Sequence, residues 1–329
     1  MAFLMSGSRH MLSHKPFRPA LAVIACLLSY PAGARAAVLF SYSSFSSTVG
    51  LTLVGNSATK TTSDGAVMRL TPAAGSQAGA IYSTTAVPLG TNATFSTQFQ
   101  FRFTNPGGVD PADGITFVIA NSPGGLGASG NGMGYSGSSA NSLAIEFDTY
   151  NNSIAAGGLG QFAAEPNSSN HVAIDIGGVL TNTAPSNVYG DASCGFPTGD
   201  PAQNTYSVAG CMSNGDLWTV NISYNGSALT VTLSDPAEGT TFTALNAYAI
   251  NIASILATNT AYVGFTASTG SGFENQDIVN WTFSNSSTIS GTPSGGTASA
   301  PALSVWGICG LALLLAASAA IMFRRRPAA

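Results

Sequence analysis

Between Phe95 and Phe103 the chain alternates aromatic and polar residues: Phe95, Phe99, Phe101 and Phe103 against Ser96, Gln98, Gln100 and Arg102. Side chains of a strand point alternately to opposite faces, so this stretch reads as a long strand with one face in a core. The pattern returns at Trp218, Val220, Ile222 and Tyr224, which alternate with Thr219, Asn221 and Ser223. It returns again at Leu229, Val231 and Leu233, after Asn225-Gly226. Asn-Gly is favoured in a type I′ turn, so these two runs form a hairpin. Val38–Phe45, Ala66–Thr71, Ala80–Thr84, Ile115–Ala120, Tyr262–Ser268 and Ile278–Phe283 read as further strands, and only Ala247–Ala257 offers a short helix. Many strands joined by Gly-rich turns, with scarcely a helix, argue for an all-β sandwich.

The two ends are of a different kind. Residues 1–36 read as a secretory signal: Arg9, Lys15 and Arg18, then the apolar run Ala20–Leu28, then Ala34-Arg35-Ala36 as a small-x-small cleavage pattern. The short apolar run makes a membrane anchor the weaker reading. Residues 303–323 are uncharged, long enough to span a bilayer as a transmembrane helix, and followed at once by Arg324-Arg325-Arg326. Positive charge stays on the cytoplasmic side, so residues 324–329 are expected inside and the main domain outside. A buried core helix is the alternative. Residues 285–302 are Ser, Gly, Thr, Pro and Ala without charge, a flexible linker. That leaves residues 37–284 as one domain, which holds all fourteen acidic residues against Lys60, Arg69 and Arg102, a formal charge of −11. Such a surface repels phosphate backbones, which disfavours nucleic-acid binding, so no nucleic-acid partner is expected. Cys194 and Cys211 are the two cysteines of this domain, 17 apart in a Gly/Pro-rich loop. In an exported chain they read as a disulfide, with two buried free thiols as the alternative.

One stretch carries chemistry. In Ser142–Asn152, Leu143, Ile145 and Phe147 share one strand face and Glu146 and Asp148 the other, about 7 Å apart. The oxygen-rich Tyr150-Asn151-Asn152 follows, and His171, the only histidine after residue 14, opens another strand. Carboxylates with amide and backbone carbonyl suit Ca²⁺; one imidazole added to them suits Mn²⁺ or a similar transition metal. Each part has a plainer reading, the acids as a solvated strand face and the histidine as structural.

Several segments, in order, resemble the legume (L-type) lectins: Leu51–Ala58, Ala80–Thr84, Phe95–Phe101, Ala112–Phe117 with Ala112-Asp113-Gly114, Gly124–Gly127, Glu146–Asn152 with His171, Val263–Gly270 and Trp281–Ser284. The resemblance implies a concanavalin A-like jelly roll that binds carbohydrate. It implies that Glu146, Asp148 and His171 hold the transition metal. Asp148 would bridge to calcium, which the Tyr150 carbonyl and the Asn152 amide also hold. Glu165 stands nearest to the family's further bridging aspartate, with Asn167 as a fallback. Sugar contacts would come from Asp113, Asn152, the Gly124 amide, the Tyr150 ring and the loop Gly270-Ser271-Gly272. The Ala112–Asp113 bond would be cis. The tail, from Pro301–Gly307 through the apolar helix to the arginines, resembles bacterial exosortase-type sorting signals, which implies a cell-envelope or extracellular location with membrane attachment that processing can end.

The expected function is therefore an exported, non-enzymatic lectin whose partners are glycans, with homo-oligomerisation left open. A glycoside hydrolase on a similar sandwich is one rival; it needs two carboxylates across a scissile bond, and Thr149–Asn152 supplies no second glutamate for that pattern. A structural envelope or matrix adhesin with a decayed sugar site is the other.

Overall fold

The alternating stretches do become paired strands. A computed structural model describes residues 38–152, 166, 168–190, 194 and 208–289. In chain order the strands are β1 (Val38–Tyr42), β2 (Leu51–Gly55), β3 (Ala58–Thr62), β4 (Gly65–Thr71), β5 (Ala78–Ser83), β6 (Val87–Pro88), β7 (Phe95–Gly108) and β8 (Gly114–Ala120). They continue as β9 (Ser142–Asp148), β10 (His171–Ile176), β11 (Val179–Asn187), β12 (Trp218–Tyr224), β13 (Ala228–Asp235), β14 (Thr240–Ala249), β15 (Thr260–Ser268) and β16 (Gly272–Ser284). One α-helix, α1 (Ile252–Leu256), falls inside the stretch where a helix was expected.

Two eight-stranded antiparallel sheets result. One runs β14-β13-β12-β7-β16-β4-β3, with β1 also on β16; the other runs β11-β10-β9-β8-β15-β5-β2, with β6 also on β15. The alternation of β7 puts Phe95, Phe99, Phe101 and Phe103 into the space between the sheets. From the second sheet Phe117, Phe147 and Phe265 meet them, and the Phe99 ring stands edge-on to Phe147 and Phe265 at 5.7 and 4.8 Å between centroids. Rings at such offsets gain beyond the burial of their area. The opposite faces of β5, β8 and β9 carry Tyr82, Val118 and Ala144, which pack with Met133, Tyr135 and Leu180 in a second, smaller core under the segment 121–141.

Two details depart from the sequence reading. At the β12–β13 turn Gly226 has φ +97° and neither Asn225 nor Ser227 is left-handed, so Gly226-Ser227 are the central residues of a type II′ rather than a type I′ turn. The Asn225 side chain instead accepts from the Ser227 and Ala228 backbone N–H groups at 3.0 and 2.9 Å. The domain also runs past Ser284, because Asn285 is 7% exposed. The signal, most of the linker, the apolar tail helix and the terminal arginines lie outside the described residues. Among the described residues no helix is long and apolar enough to cross a membrane.

Candidate functional site

β9 and β10 lie side by side with His171 opposite Asp148 and Ala173 opposite Glu146. This register puts Glu146, Asp148 and His171 on one face, and one ligand atom from each lies within 4.8 Å of the others. All three are buried, at 1, 2 and 0% exposure, so the reading of the acids as a solvated face is overturned. The strand face opposite the aromatic core is itself covered, which an alternating pattern alone does not reveal. His171 Nε2 stands 3.3 Å from Glu146 Oε1 and 3.2 Å from the Asn182 amide oxygen. Asp148 Oδ1 accepts from the Tyr150 backbone N–H at 2.6 Å, which turns the chain at the end of β9. Asn152, half-buried, is the last described residue of that loop; Glu165 and Asn167 lie outside the described residues.

Asp113 sits beside this cluster at the same end of the sheet. The Ala112–Asp113 bond is cis. Gly114 pairs with Asp148 across β8 and β9, and Thr149 N–H donates to the Asp113 carbonyl at 3.1 Å. A Cβ at Gly114, where φ is +117°, would collide with the Phe147 carbonyl, so the close approach of the Asp113 loop to the end of β9 needs glycine there. The loop is fastened from below: Asp113 N–H donates to Ser268 O at 3.0 Å, and Gln276 Nε2 to Ala112 O and Ser268 O at 3.1 and 3.2 Å. The Asp113 carboxylate is 3% exposed, and its Oδ2 has no hydrogen-bond partner among the described residues. A buried acceptor left without a partner costs free energy, so this oxygen is suited to a ligand donor.

The surrounding loops divide. Gly270 lies against Asp113: a Cβ there would be 3.6 Å from Asp113 Oδ2. Its own N–H is already donated to Gly272 O, at 3.0 Å, so it is a wall rather than a donor. Ser271 is exposed beside it, and Gly272 is buried in pairing with Gly108. The Tyr150 hydroxyl is pushed up by burial first and then by the charges of Asp110 and Asp113, so it lies within electrostatic reach of both. Gly124 does not join them. It packs on the Tyr82 ring, and Tyr82 pairs through Gly264 with Val118, four residues along β8 from Gly114. The glycine at the Asp113 end is Gly130, whose N–H donates to Thr269 O at 3.1 Å and whose Cα would lie 3.4 Å from a Cβ on Gly270. The run Gly130-Asn-Gly-Met-Gly134 carried the signal as well as Gly124–Gly127 did.

The charge balance of the pocket is one-sided. Burial pushes the Asp113 carboxyl up to about 8. Glu274, fully buried behind Thr149, also rises to about 8, through burial and the nearby Asp113 charge, although hydrogen bonds from Ser213 and Thr149 oppose the shift. Asp175 is raised well above the usual range by burial and by Glu146. Among the described residues no lysine or arginine offsets them: Arg69 is paired with Asp277, Arg102 with Asp64, and Lys60 is exposed on β3. Carboxylates and one imidazole in a buried cluster without a protein cation fit a divalent metal. Cys194 and Cys211 form the expected disulfide, Cα to Cα 5.5 Å. It adjoins the segment before β10, where Ser169 Oγ accepts from Cys194 N–H and Asn170 bonds Gly210 O and Met212 N–H.

The chain is similar to proteins of known kind. A seed lectin from Styphnolobium japonicum is 28% identical over 205 residues, 59% of this chain and 57% of that protein. The galactose-binding lectin of Arachis hypogaea is 32% identical over 138 residues, 40% of this chain and 47% of that one. The chain thus spans about half the length of these two relatives. The solved lectin from Bauhinia forficata, in complex with GalNAc, superposes with a TM-score of 0.56 at 21% identity, over 76% of this chain and 98% of that one, which shows a common fold. The legume lectin domain model matches residues 37–296, most of the chain and all of both sheets, and on that match the chain belongs to the legume lectin domain family.

Proposed function

We propose that this chain is an exported lectin that binds a sugar at Asp113, in a pocket organised by calcium and a transition metal. The observation that carries the reading is the stitching of the Asp113 loop to the metal strand through Gly114–Asp148 pairing and the Thr149-to-Asp113 hydrogen bond. Glu146, Asp148 and His171 would hold Mn²⁺ or a similar ion. Asp148, the Tyr150 carbonyl and Asn152 would hold Ca²⁺, with Glu165 a further ligand. Bound cations would supply positive charge that fixes the loop after β9. Asp113 would accept from sugar hydroxyls, Asn152 would donate, and the Tyr150 ring would cover an apolar sugar face. Gly130 and Gly270 shape the wall.

The hydrolase alternative finds no support in the geometry. Glu146 and Asp148 are buried against His171 rather than facing each other across an open cleft. Because relatives and neighbours are named for galactose and GalNAc, these are the first sugars to test, on a broad glycan array with and without EDTA. Metal-dependent binding supports the proposal; binding to no glycan favours an adhesin with a decayed site. Export and membrane retention rest on residues 1–36 and 303–329 alone. Neutralising Arg324–Arg326 should disturb retention or processing, and full-length protein found in the cytoplasm with its leader attached would refute this part.

A further inference from the structure

We infer that the side-chain oxygen of Asn182 is a direct ligand of the transition metal, beside Glu146, Asp148 and His171. The inference rests on the metal-site reading above and extends it to a residue on a third strand.

The backbone is bent to bring Asn182 there. Between the pairs Ile176–Val179 and Ile174–Thr183, β10 advances two residues while β11 advances four. The extra residues form a bulge, a device that re-aims side chains at the cost of local pairing. Asn182 lies in it with φ +45°, in the left-handed region, and is 1% exposed. Asparagine tolerates that conformation better than most residues, yet it persists only where the surroundings enforce it. Asp175 enforces it: its Oδ1 accepts from the Thr181 and Asn182 N–H groups at 2.8 and 3.1 Å, and Thr181 Oγ1 donates back to Ile174 O at 3.0 Å. Asp175 is therefore a positioning residue.

The bulge aims the Asn182 oxygen at the His171 nitrogen that faces Glu146. Asn182 Oδ1 lies 3.2 Å and Glu146 Oε1 3.3 Å from the same His171 Nε2. Oxygens from two different strands thus converge on one ring nitrogen. Neighbouring ligands on an octahedral ion with bonds of about 2.1–2.2 Å stand about 3.0–3.1 Å apart, close to both separations. The charge also fits. Glu146 and Asp148 balance a divalent ion, and a neutral amide completes the set without adding charge to a buried site.

Mn²⁺ is the probe. Electron paramagnetic resonance of free Mn²⁺ gives the affinity of the full chain, of Asn182→Ala and of Asn182→Asp. Asn182→Ala should bind about tenfold more weakly or worse, and Asn182→Asp, which keeps an oxygen, should retain the ion. Anomalous diffraction at the manganese edge should place Oδ1 of the wild type at about 2.0–2.3 Å from the metal. An Oδ1 beyond hydrogen-bond range with a water between, or wild-type affinity in Asn182→Ala, would overturn the inference and leave the metal site standing. A wild type that takes up no Mn²⁺ would overturn the metal-site reading itself. If Asn182→Ala fails to fold by circular dichroism, the wild-type map and Asn182→Asp still decide.

Discussion

Glu274 is fully buried yet carries an ionisable group, and its neighbours fix what that does to stability. Its pKa and that of Asp113, each about 8, stand above the ordinary 4.5 and 3.8. Between about pH 4 and pH 8 the folded, metal-free protein therefore binds more protons than the unfolded chain, and its stability falls as pH rises through that window. With EDTA present, the melting temperature should drop between about pH 5 and about pH 8. Glu274→Gln should flatten the fall, because glutamine keeps an acceptor for the Thr149 hydroxyl without a proton to lose. Calorimetry checks this, and an unaltered slope in Glu274→Gln would show that the carboxyl is ionised throughout. Gly270 permits a second test. Its φ is not left-handed, and a Cβ would sit in ordinary contact at 3.4 Å from Gly130 and 3.6 Å from Asp113 Oδ2. Gly270→Val should fold, bind metal as before, and lose at least about tenfold in sugar affinity because the methyls fill the space over Asp113. Unchanged titration calorimetry would show that the sugar lies elsewhere.

At the scale of elements, the disulfide and the loops explain what sequence could and could not reveal. Closing a loop of this length stabilises by about 3 kcal/mol in the chain-entropy model. Because Ser169 and Asn170 hold the Cys194–Cys211 region to the segment entering β10, the Cys194→Ser/Cys211→Ser pair should lose about that stability in urea unfolding and weaken Mn²⁺ binding by a lesser factor. Loss of stability with no change in metal affinity would show that the loop and His171 are independent. The strands with strict alternation, β7, β12 and β13, were legible because period-two burial is a local property. β14 was not: half of its ten residues are exposed, and its register with β13 shifts twice, which breaks the alternation along its length. The cluster of Glu146, Asp148 and His171 was legible because β9 and β10 each present these residues at strand spacing. Asn182 was hidden, because a bulge breaks that spacing. Gly124 misled for a related reason: a glycine run shows that backbone approaches something closely, here the Tyr82 ring, without saying what.

Across the whole molecule the stability and the site draw on different residues. The core between the sheets is aromatic and aliphatic, from Phe99 and Trp218 to Phe265 and Trp281, and contains none of the metal-cluster residues. The metal cluster and Asp113 occupy one end of one sheet. Removing the ions should therefore leave the sandwich folded but leave the buried carboxyls of Glu146, Asp148, Asp175, Asp113 and Glu274 without a cation, to take up protons or repel one another, with no lysine or arginine nearby among the described residues. Chelation should abolish sugar binding, lower the melting temperature by several degrees, and leave the far-ultraviolet circular dichroism unchanged. Two variants separate the parts. Asp113→Ala should bind Mn²⁺ and Ca²⁺ as the wild type does and bind no sugar, because it removes only the acceptor. Asp148→Ala should lose metal and sugar together, because it is the carboxylate that faces both His171 and the Asp113 loop. Calorimetric titration of the three proteins with a glycan from the array, before and after EDTA and again after the ions are restored, tests the coupling. Equal affinity with and without metal would show that the carboxylates around His171 are structural and that the loop holding Asp113 needs no ion to keep its shape.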